Sequence, residues 1–317
     1  MAGNSAPHGL KANGRYAPSP TATLHLGNLR TAFVAYLAAK AQGAQFLLRI
    51  EDMDEVACRP EHAQSAMRDL QKLGLLFDGD IMWQSQRRDA YSQVIHELLA
   101  NDLLYPCYCT RREVLAEAES SVFAPHSPKG AYSGTCRELS TQQRKEKEAQ
   151  GRKPSLRLRG NNAEISFIDR LFGEQTGLID DFVVQRADGT PAYNLAVVLD
   201  DAAQQVGEVV RGEDLLETTP RQIYLQKILN LPEVSYLHVP LVLGADGERL
   251  AKRHGSVTLA EQEEHGVSAE RVRQLFAISL GLCSEQENLS LDELCARFAV
   301  EKLPTTPWQL PAELTFS

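Results

Sequence analysis

Residues 14–30, GRYAPSPTATLHLGNLR, constrain the fold of this chain more than any other stretch. Two prolines favour an extended start, and apolar residues then recur at helical spacing. These apolar residues are Leu29, Phe33, Tyr36 and Leu37. Gly43 is placed to end the helix, and residues 45–50, QFLLRI, have the pattern of a buried strand. A turn, a helix and a strand in this order predict a βαβ unit within a parallel sheet.

His25, Gly27 and Asn28 lie where the predicted loop enters this helix. Backbone N–H groups without helical partners and the positive end of the helix dipole favour a phosphate there. Gly27 lets the backbone approach a nucleotide closely, and the His25 imidazole can donate to phosphate oxygens. These residues predict a nucleotide site, although a pattern of four residues also occurs by chance.

Glu51 and Asp52 follow the predicted strand directly. Ligands of open α/β sheets bind at the carboxyl ends of strands, so Glu51 is placed to bind an ammonium group, or else to pair at the surface. Arg15, Tyr193 and Arg211 stand at further predicted strand edges. Two arginines near one pocket indicate an anionic substrate, because guanidinium binds carboxylate through two hydrogen bonds; an isolated arginine is more often solvated.

Three cysteines and a tyrosine form a third group of candidates: Cys107, Cys109, Tyr132 and Cys136. Three thiolates suit Zn²⁺ in a tetrahedral site. The spacing, C-x-C followed at a distance by Y-x-x-x-C, is uncommon among zinc fingers. Free buried thiols are therefore the other interpretation of this group.

The formal net charge is −9, from 42 acidic and 33 basic residues. This charge argues against strong non-specific binding to nucleic acid, although it is compatible with a local basic groove. No apolar run has the length of a membrane span, and the first residues lack the apolar stretch of a secretory signal. Six cysteines in 317 residues do not indicate a disulfide scaffold, so we expect reduced thiols and a cytoplasmic protein.

The changes of pattern along the chain predict an α/β protein with a Rossmann-type, parallel-sheet nucleotide-binding domain. The predicted parts are a flexible tail (1–13), the first half of that domain (14–105), an insertion with the zinc candidates (106–190), its second half (191–256) and a small helical C-terminal domain (257–317). Predicted helices cover residues 61–76, 88–104 and 219–231, and the charged stretch 141–153 is predicted to be an exposed helix or a linker. Predicted strands cover residues 156–159, 165–169, 181–185, 207–211 and 239–243.

Several longer strings resemble the glutamate branch of the class I aminoacyl-tRNA synthetases. They are RYAPSP (15–20), RIED (49–52), WQSQR (83–87), AYNLAVVLDD (192–201) and VRGEDLLETTPRQIYL (210–225). The resemblance implies that ATP is bound by His25, Gly27, Asn28 and Lys252, of which His25, Asn28 and Lys252 are catalytic. It implies that glutamate is bound by Arg15, Ala17, Ser19, Glu51, Tyr193 and Arg211. The two arginines would bind its carboxylates, Glu51 its amino group, and Tyr193 would close the pocket.

The chain departs from this family pattern at several positions. Asn28 stands where the parent class has a second histidine, and an amide can still donate a hydrogen bond. RLAKR at 249–253 resembles the second ATP signature, but Ala251 and Arg253 replace serines. Lys252 retains the ammonium that would stabilise the leaving pyrophosphate. A subgroup of the family has the same Cys, Cys, Tyr, Cys pattern around a structural zinc ion, with a shorter loop before the tyrosine.

About 60 residues follow the second ATP signature, fewer than we expect for an anticodon-binding domain. In this respect the chain resembles the truncated paralogues called glutamyl-queuosine tRNA(Asp) synthetases. The resemblance implies that the protein activates L-glutamate with ATP and Mg²⁺. We expect activation to need no tRNA, because Arg15, Arg211 and Glu51 can bind glutamate with no anticodon domain to gate the site, and we expect a monomer. The acceptor would be the queuosine base in the anticodon stem-loop of tRNA(Asp). Three alternatives remain open: a short glutamyl-tRNA synthetase charging a 3′ end, an enzyme adenylating a small acid without tRNA, and a non-catalytic, zinc-stabilised RNA-binding module.

Overall fold

The structure, a computed structural model, describes residues 12–120, 131–244, 246–248, 250 and 257–315. Its strands are β1 (Asn13–Tyr16), β2 (Phe46–Ile50), β3 (Met82–Trp83), β4 (Leu104–Cys107), β5 (Ser155–Leu158), β6 (Glu164–Asp169), β7 (Gly173–Leu178), β8 (Val183–Gln185), β9 (Val206–Gly212), β10 (Ser235–Val239), β11 (Val242–Leu243) and β12 (Trp308–Gln309). Its helices are α1 (Leu26–Ala41), α2 (Pro60–Lys72), α3 (Arg88–Ala100), α4 (Arg111–Ser120), α5 (Thr141–Ala149), α6 (Tyr193–Ala203), α7 (Thr219–Ile228), α8 (Leu259–Glu264), α9 (Ala269–Ser279) and α10 (Leu291–Arg297).

Seven strands form the larger sheet, in the order β3-β2-β1-β9-β10-β6-β7. Neighbouring strands run parallel except β6 and β7, which are antiparallel. The predicted parallel sheet is therefore confirmed. Because β1 lies between β2 and β9, the segments that follow these three strands meet at one edge of the sheet. A smaller antiparallel sheet has the order β4-β5-β8, and β11 pairs with β12.

Helix α1 is buried over most of its surface because its side chains are largely apolar or alanine. His25 caps its start: the imidazole Nδ1 accepts the backbone N–H of Asn28 at 3.2 Å, and the Asn28 side-chain oxygen accepts the backbone N–H of His25 at 3.3 Å. Gly43 and Gly74, with φ of 63° and 77°, follow the ends of α1 and α2, as left-handed residues commonly do. The glycine predicted to end α1 is in place, and α2 ends at residue 72, short of the predicted 76.

Two further predicted elements differ from the structure in an informative way, and one strand was missed. Helix α3 ends at residue 100 rather than 104, because the chain turns and β4 begins at Leu104. The predicted strand 239–243 is divided by Pro240, which has no N–H to donate, so β10 ends before it and β11 pairs elsewhere. Strand β7, sequence GEQTGL, was not predicted, because its two glycines and one apolar side chain carry no strand pattern.

The observed packing agrees only partly with the predicted domain limits. Strands β6 and β7 belong to the larger sheet although they lie within the predicted insertion, so that sheet extends into residues 106–190. The described helices after residue 257 share one hydrophobic core with α1, where the rings of Phe33 and Phe276 lie 6.1 Å apart. The split domain, the insertion and the C-terminal domain stay predictions. Within the described ranges, no helix combines the length and apolar character needed to cross a membrane.

Candidate active site and metal centre

A cleft of about 510 Å³ opens at the edge of the larger sheet where β1, β2 and β9 end. Its volume is in the range of small-molecule sites. It is lined by all nine predicted ATP and glutamate residues that the structure describes: Arg15, Ala17, Ser19, His25, Gly27, Asn28, Glu51, Tyr193 and Arg211. Lys252 lies outside the described residues. The structure thus brings these residues together, while the role of each stays a prediction.

A buried network of charges lies behind the cleft, and two of its members, Arg15 and Glu51, line the cleft itself. Arg15 Nε donates to Asp201 Oδ1 at 3.1 Å, and Arg49 Nη1 donates to the same oxygen at 2.7 Å. Arg49 is fully buried and also lies 3.4 Å from Glu51 and 3.9 Å from Asp200. The network fixes Arg15 and Glu51 in place before any ligand binds.

Arg49, Asp200 and Asp201 were not singled out from the sequence. The signal that could have found them is a charged residue inside an apolar run, as in FLLRI and AVVLDD. Such residues are almost never fully buried unless they are paired, so the two strings indicate a buried ion network.

Glu51 is a nearly buried carboxylate beside the cleft. Its Oε2 accepts the hydroxyl of Ser19 at 3.4 Å, and its Oε1 accepts Arg49 Nη2 at 3.4 Å. Burial raises the pKa of Glu51 above the usual value, and this effect exceeds the opposite one of Arg49 and Arg15. A desolvated carboxylate of this kind is stabilised in its charged form by a bound cation.

Arg211 is buried, and its partners among the described residues are all neutral. Its Nε donates to His238 Nε2 at 3.0 Å, its Nη1 to Gln222 Oε1 at 2.7 Å and its Nη2 to Thr219 Oγ1 at 2.8 Å. No carboxylate of the described chain pairs with it, whereas Arg15 has one at 3.1 Å. A buried positive charge that faces a cleft without a carboxylate partner favours an anionic ligand.

Tyr193 is the first residue of α6, not a residue at a strand edge as predicted. Tyr193 lines two cavities and is 43 % exposed. It therefore stands at the entrance of the cleft, which remains open on this side.

A wider groove of about 980 Å³ adjoins the cleft and extends to the smaller sheet. Ser19, Glu51 and Tyr193 line both cavities. The charged lining of the groove consists of four basic and two acidic residues: Arg111, Lys153, Arg157, Arg186, Glu51 and Asp54. Arg186 pairs with Asp54 at 3.1 Å and with Asp188 at 3.0 Å. The lining of the groove still has more basic than acidic residues, on a protein of net charge −9.

The start of α1 forms the other end of the cleft. Because His25 Nδ1 accepts the backbone N–H of Asn28, the neutral ring carries its proton on Nε2, which is available as a donor. Burial lowers the pKa of His25, which favours this neutral form. A Cβ at residue 27 would lie 3.0 Å from the His25 ring, so glycine is needed for this close packing. The arrangement presents donors to a phosphate group at a helix start.

The cysteine group lies beside the smaller sheet. The Sγ atoms of Cys107, Cys109 and Cys136 all lie within 4.8 Å of one another. The Tyr132 hydroxyl lies 3.4 Å from Cys107 Sγ and 3.7 Å from Cys109 Sγ, and Cys109 Sγ lies 3.5 Å from Cys136 Sγ. A tetrahedron with bonds of about 2.3 Å has edges near 3.8 Å, so the four atoms fit a Zn²⁺ site.

A buried cation accompanies this group. Arg157 lies over the ring of Tyr132, with its guanidinium carbon 3.7 Å from the ring centroid. It interacts with Cys107, one of the four donors of a set that is anionic when it holds a metal. Arg157 was not singled out from the sequence, because a single arginine within a strand of four residues carries no pattern of its own.

A family model described as tRNA synthetases class I (E and Q), catalytic domain, matches residues 11–313. The chain belongs to this family. Membership makes the protein a synthetase-type ligase that uses ATP, and it agrees with the fold and with the hydrogen-bond donors at the start of α1.

Comparison with individual proteins indicates which branch of the family this chain resembles. A glutamyl-Q tRNA(Asp) synthetase of Nocardia farcinica is 52 % identical over 297 residues, which cover 94 % of this chain and 92 % of that protein. One of Symbiobacterium thermophilum is 45 % identical over 314 residues, covering 95 % and 96 %. A crystal structure of a glutamate tRNA ligase from Elizabethkingia meningosepticum, in complex with its amino acid, matches with a TM-score of 0.80 and 27 % identity over 96 % of this chain and 68 % of that one. The resemblance drawn from the sequence motifs is confirmed.

Proposed function

We propose that this protein activates L-glutamate with ATP and transfers it to the queuosine base in the anticodon of tRNA(Asp). The observation that carries the amino-acid assignment is the buried charge of Arg211 in the cleft, which pairs with no carboxylate among the described residues. The relatives named glutamyl-Q tRNA(Asp) synthetase, matched over nearly their whole length, support the acceptor.

Glutamate suits the charges of the cleft. Its two carboxylates would bind Arg211 and Arg15, and its ammonium would bind Glu51, with Ser19 and Ala17 lining the same pocket. Glutamine lacks the second carboxylate, and leaving a buried arginine without it costs at least about 2 kcal/mol, or more than tenfold. We therefore expect the enzyme to select glutamate.

ATP, bound together with Mg²⁺, would lie with its phosphates at the start of α1. A glutamate carboxylate oxygen attacks the α-phosphorus, a new P–O bond forms, and the bond to pyrophosphate breaks. His25 Nε2 and the amide of Asn28 would donate to phosphate oxygens whose charge grows in the transition state. We propose that Lys252 does the same for the leaving pyrophosphate. No tRNA is needed for this step.

The acceptor would enter through the wider groove. A hydroxyl of the modified base attacks the acyl carbon, an ester bond forms and AMP leaves. The exposed basic residues Arg111, Lys153 and Arg186 are placed to bind RNA phosphates, and the ring of Tyr193 is placed to contact a base between groove and cleft. The zinc ion would be structural, held by the four ligands described above, which leave no position for water. We also propose that the protein works as a cytoplasmic monomer.

The proposal separates two steps that respond to different residues. We expect glutamate-dependent ATP–pyrophosphate exchange in the absence of tRNA, with glutamine as the control substrate. The double variant K153E/R186E should keep this exchange and lose most of the transfer to RNA. Arg112→Glu, an exposed change beside Arg111 that does not line the groove, is the matched control. Equal exchange with glutamine, or exchange that requires tRNA, would overturn the activation step; unchanged transfer by the double variant would overturn the groove.

A further inference from the structure

Asp169, His238 and Arg211 form a buried chain of hydrogen bonds behind the amino-acid end of the cleft. Asp169 and His238 are 1 % and 0 % exposed. His238 Nδ1 lies 2.7 Å from Asp169 Oδ2, and His238 Nε2 lies 3.0 Å from Arg211 Nε. Neither Asp169 nor His238 lines the cleft, so both can reach a ligand only through Arg211.

The direction of these bonds is set by Asp169. Its Oδ1 accepts the backbone N–H groups of Leu171 and Phe172 at 3.0 and 2.9 Å, and its Oδ2 accepts the backbone N–H of His238 at 3.1 Å. Burial raises the pKa of Asp169, but the hydrogen bonds from His238, Phe172 and Leu171 outweigh this and lower it below the usual value. The ionised carboxylate can only accept, so the imidazole carries its proton on Nδ1.

The other ring nitrogen, His238 Nε2, is then an acceptor for the N–H of Arg211 Nε. Arg211 Nε can only donate, so a proton on His238 Nε2 would set two donors face to face. Burial lowers the pKa of His238, which keeps the ring neutral. The ring is further held by stacking on Tyr236, with centroids 6.1 Å apart, and by Thr219 Oγ1 at 3.2 Å from Nε2.

We infer that Asp169 and His238 are positioning residues that aim Arg211 at the substrate carboxylate without cancelling its charge. A carboxylate in direct contact with Arg211 would hold the guanidinium equally well but would neutralise it. The imidazole places the carboxylate one ring away and presents a neutral acceptor instead. The identity of the substrate rests on the proposed function; the tautomer does not.

The first test needs no substrate. Nitrogen-15 NMR of protein labelled in its histidines reports which ring nitrogen carries the proton. The His238 signals are assigned on the wild-type protein by nuclear Overhauser effects between its ring and the stacked ring of Tyr236. At neutral pH we expect protonation of Nδ1 alone. A proton on Nε2, alone or together with one on Nδ1, would overturn the inference even if the protein activates glutamate.

The second test uses Asp169→Asn, which presents an amide N–H to His238 and so favours the wrong tautomer. His238→Asn is its companion, because it keeps a donor for Asp169 but removes the acceptor for Arg211. In ATP–pyrophosphate exchange, each should raise the KM for glutamate about tenfold or more and change the KM for ATP less than about twofold.

The control for a merely structural role is Tyr105→Phe. Tyr105 is also buried, and its hydroxyl donates to Asp181 Oδ2 at 2.6 Å, outside the cleft and outside the chain of three residues. It should leave the KM for glutamate unchanged. Folded Asp169 and His238 variants that keep the wild-type KM for glutamate would overturn the inference. So would folded variants in which the KM for glutamate and the KM for ATP rise by the same factor. If both variants fail to fold, the NMR result on the wild type decides. Absence of glutamate-dependent exchange in the wild type would instead refute the proposed function.

Discussion

Replacing Arg211 by glutamine is a change in the proposed amino-acid site for which the loss of activity with glutamate can be estimated from the structure. Arg211 is buried, and its partners among the described residues are neutral. The carboxylate of a bound substrate would therefore be its first charged partner. A hydrogen bond to a charged group contributes about 1.5–3 kcal/mol, and a carboxylate left unpaired in a buried site costs more. Taking about 3 kcal/mol, the kcat/KM for glutamate should fall roughly a hundredfold.

The assay is ATP–pyrophosphate exchange at saturating ATP with glutamate varied over a wide range. The KM for ATP should change less than about twofold, because Arg211 lies at the amino-acid end of the cleft. Since its partners are neutral, its removal leaves no carboxylate without a counter-charge, and we expect the variant to fold. Arg170→Gln is the matched control, because Arg170 pairs with Glu208 away from the cleft. A folded Arg211→Gln enzyme with the wild-type KM for glutamate would refute the reasoning.

Three further outcomes follow from the same site. The kcat/KM for glutamate should fall on acidification, because Glu51 must be ionised to bind the ammonium group. The fall should begin at a higher pH than the pKa of an ordinary carboxyl would give, because burial raises the pKa of Glu51. A Glu51→Gln enzyme with the same pH profile would contradict this. Lys252→Ala should lower exchange about a hundredfold while leaving the unfolding temperature unchanged, since a preorganised charge at the leaving group contributes about 3 kcal/mol. Purified protein should hold one zinc ion per chain, and Cys136→Ala should lose it; metal analysis without zinc would remove the site, whereas Tyr132→Phe with full affinity would remove only the tyrosine.

The order of elements around the first ATP motif could be predicted because each carries a local pattern. Helix α1 has its apolar spacing and its closing glycine, and β2 is a short apolar run directly before Glu51. The meeting of Arg15, Glu51 and Arg211 then follows from the rule that parallel strands end at one edge. Such features depend on neighbours in sequence or on a general property of parallel sheets.

The features that were missed depend on partners distant in sequence. Strand β7 is held by β6 and not by its own composition, and Tyr193 begins a helix although its string contains many strand-forming residues. The pairing of Arg49 with Asp201 spans 152 positions, and that of His238 with Asp169 spans 69. Periodicity reports which face of an element is buried, but it cannot say which buried charges meet.

The most direct test of the central claim is the transfer of labelled glutamate to tRNA. Four substrates are needed: tRNA(Asp) with queuosine, the same tRNA without the modification, tRNA(Asp) with queuosine but without its 3′-terminal adenosine, and tRNA(Glu). The account predicts equal transfer to both queuosine-containing tRNAs and none to the other two. Transfer that depends on the 3′-terminal adenosine, or that occurs on tRNA(Glu), would contradict it in favour of a short synthetase that charges a 3′ end.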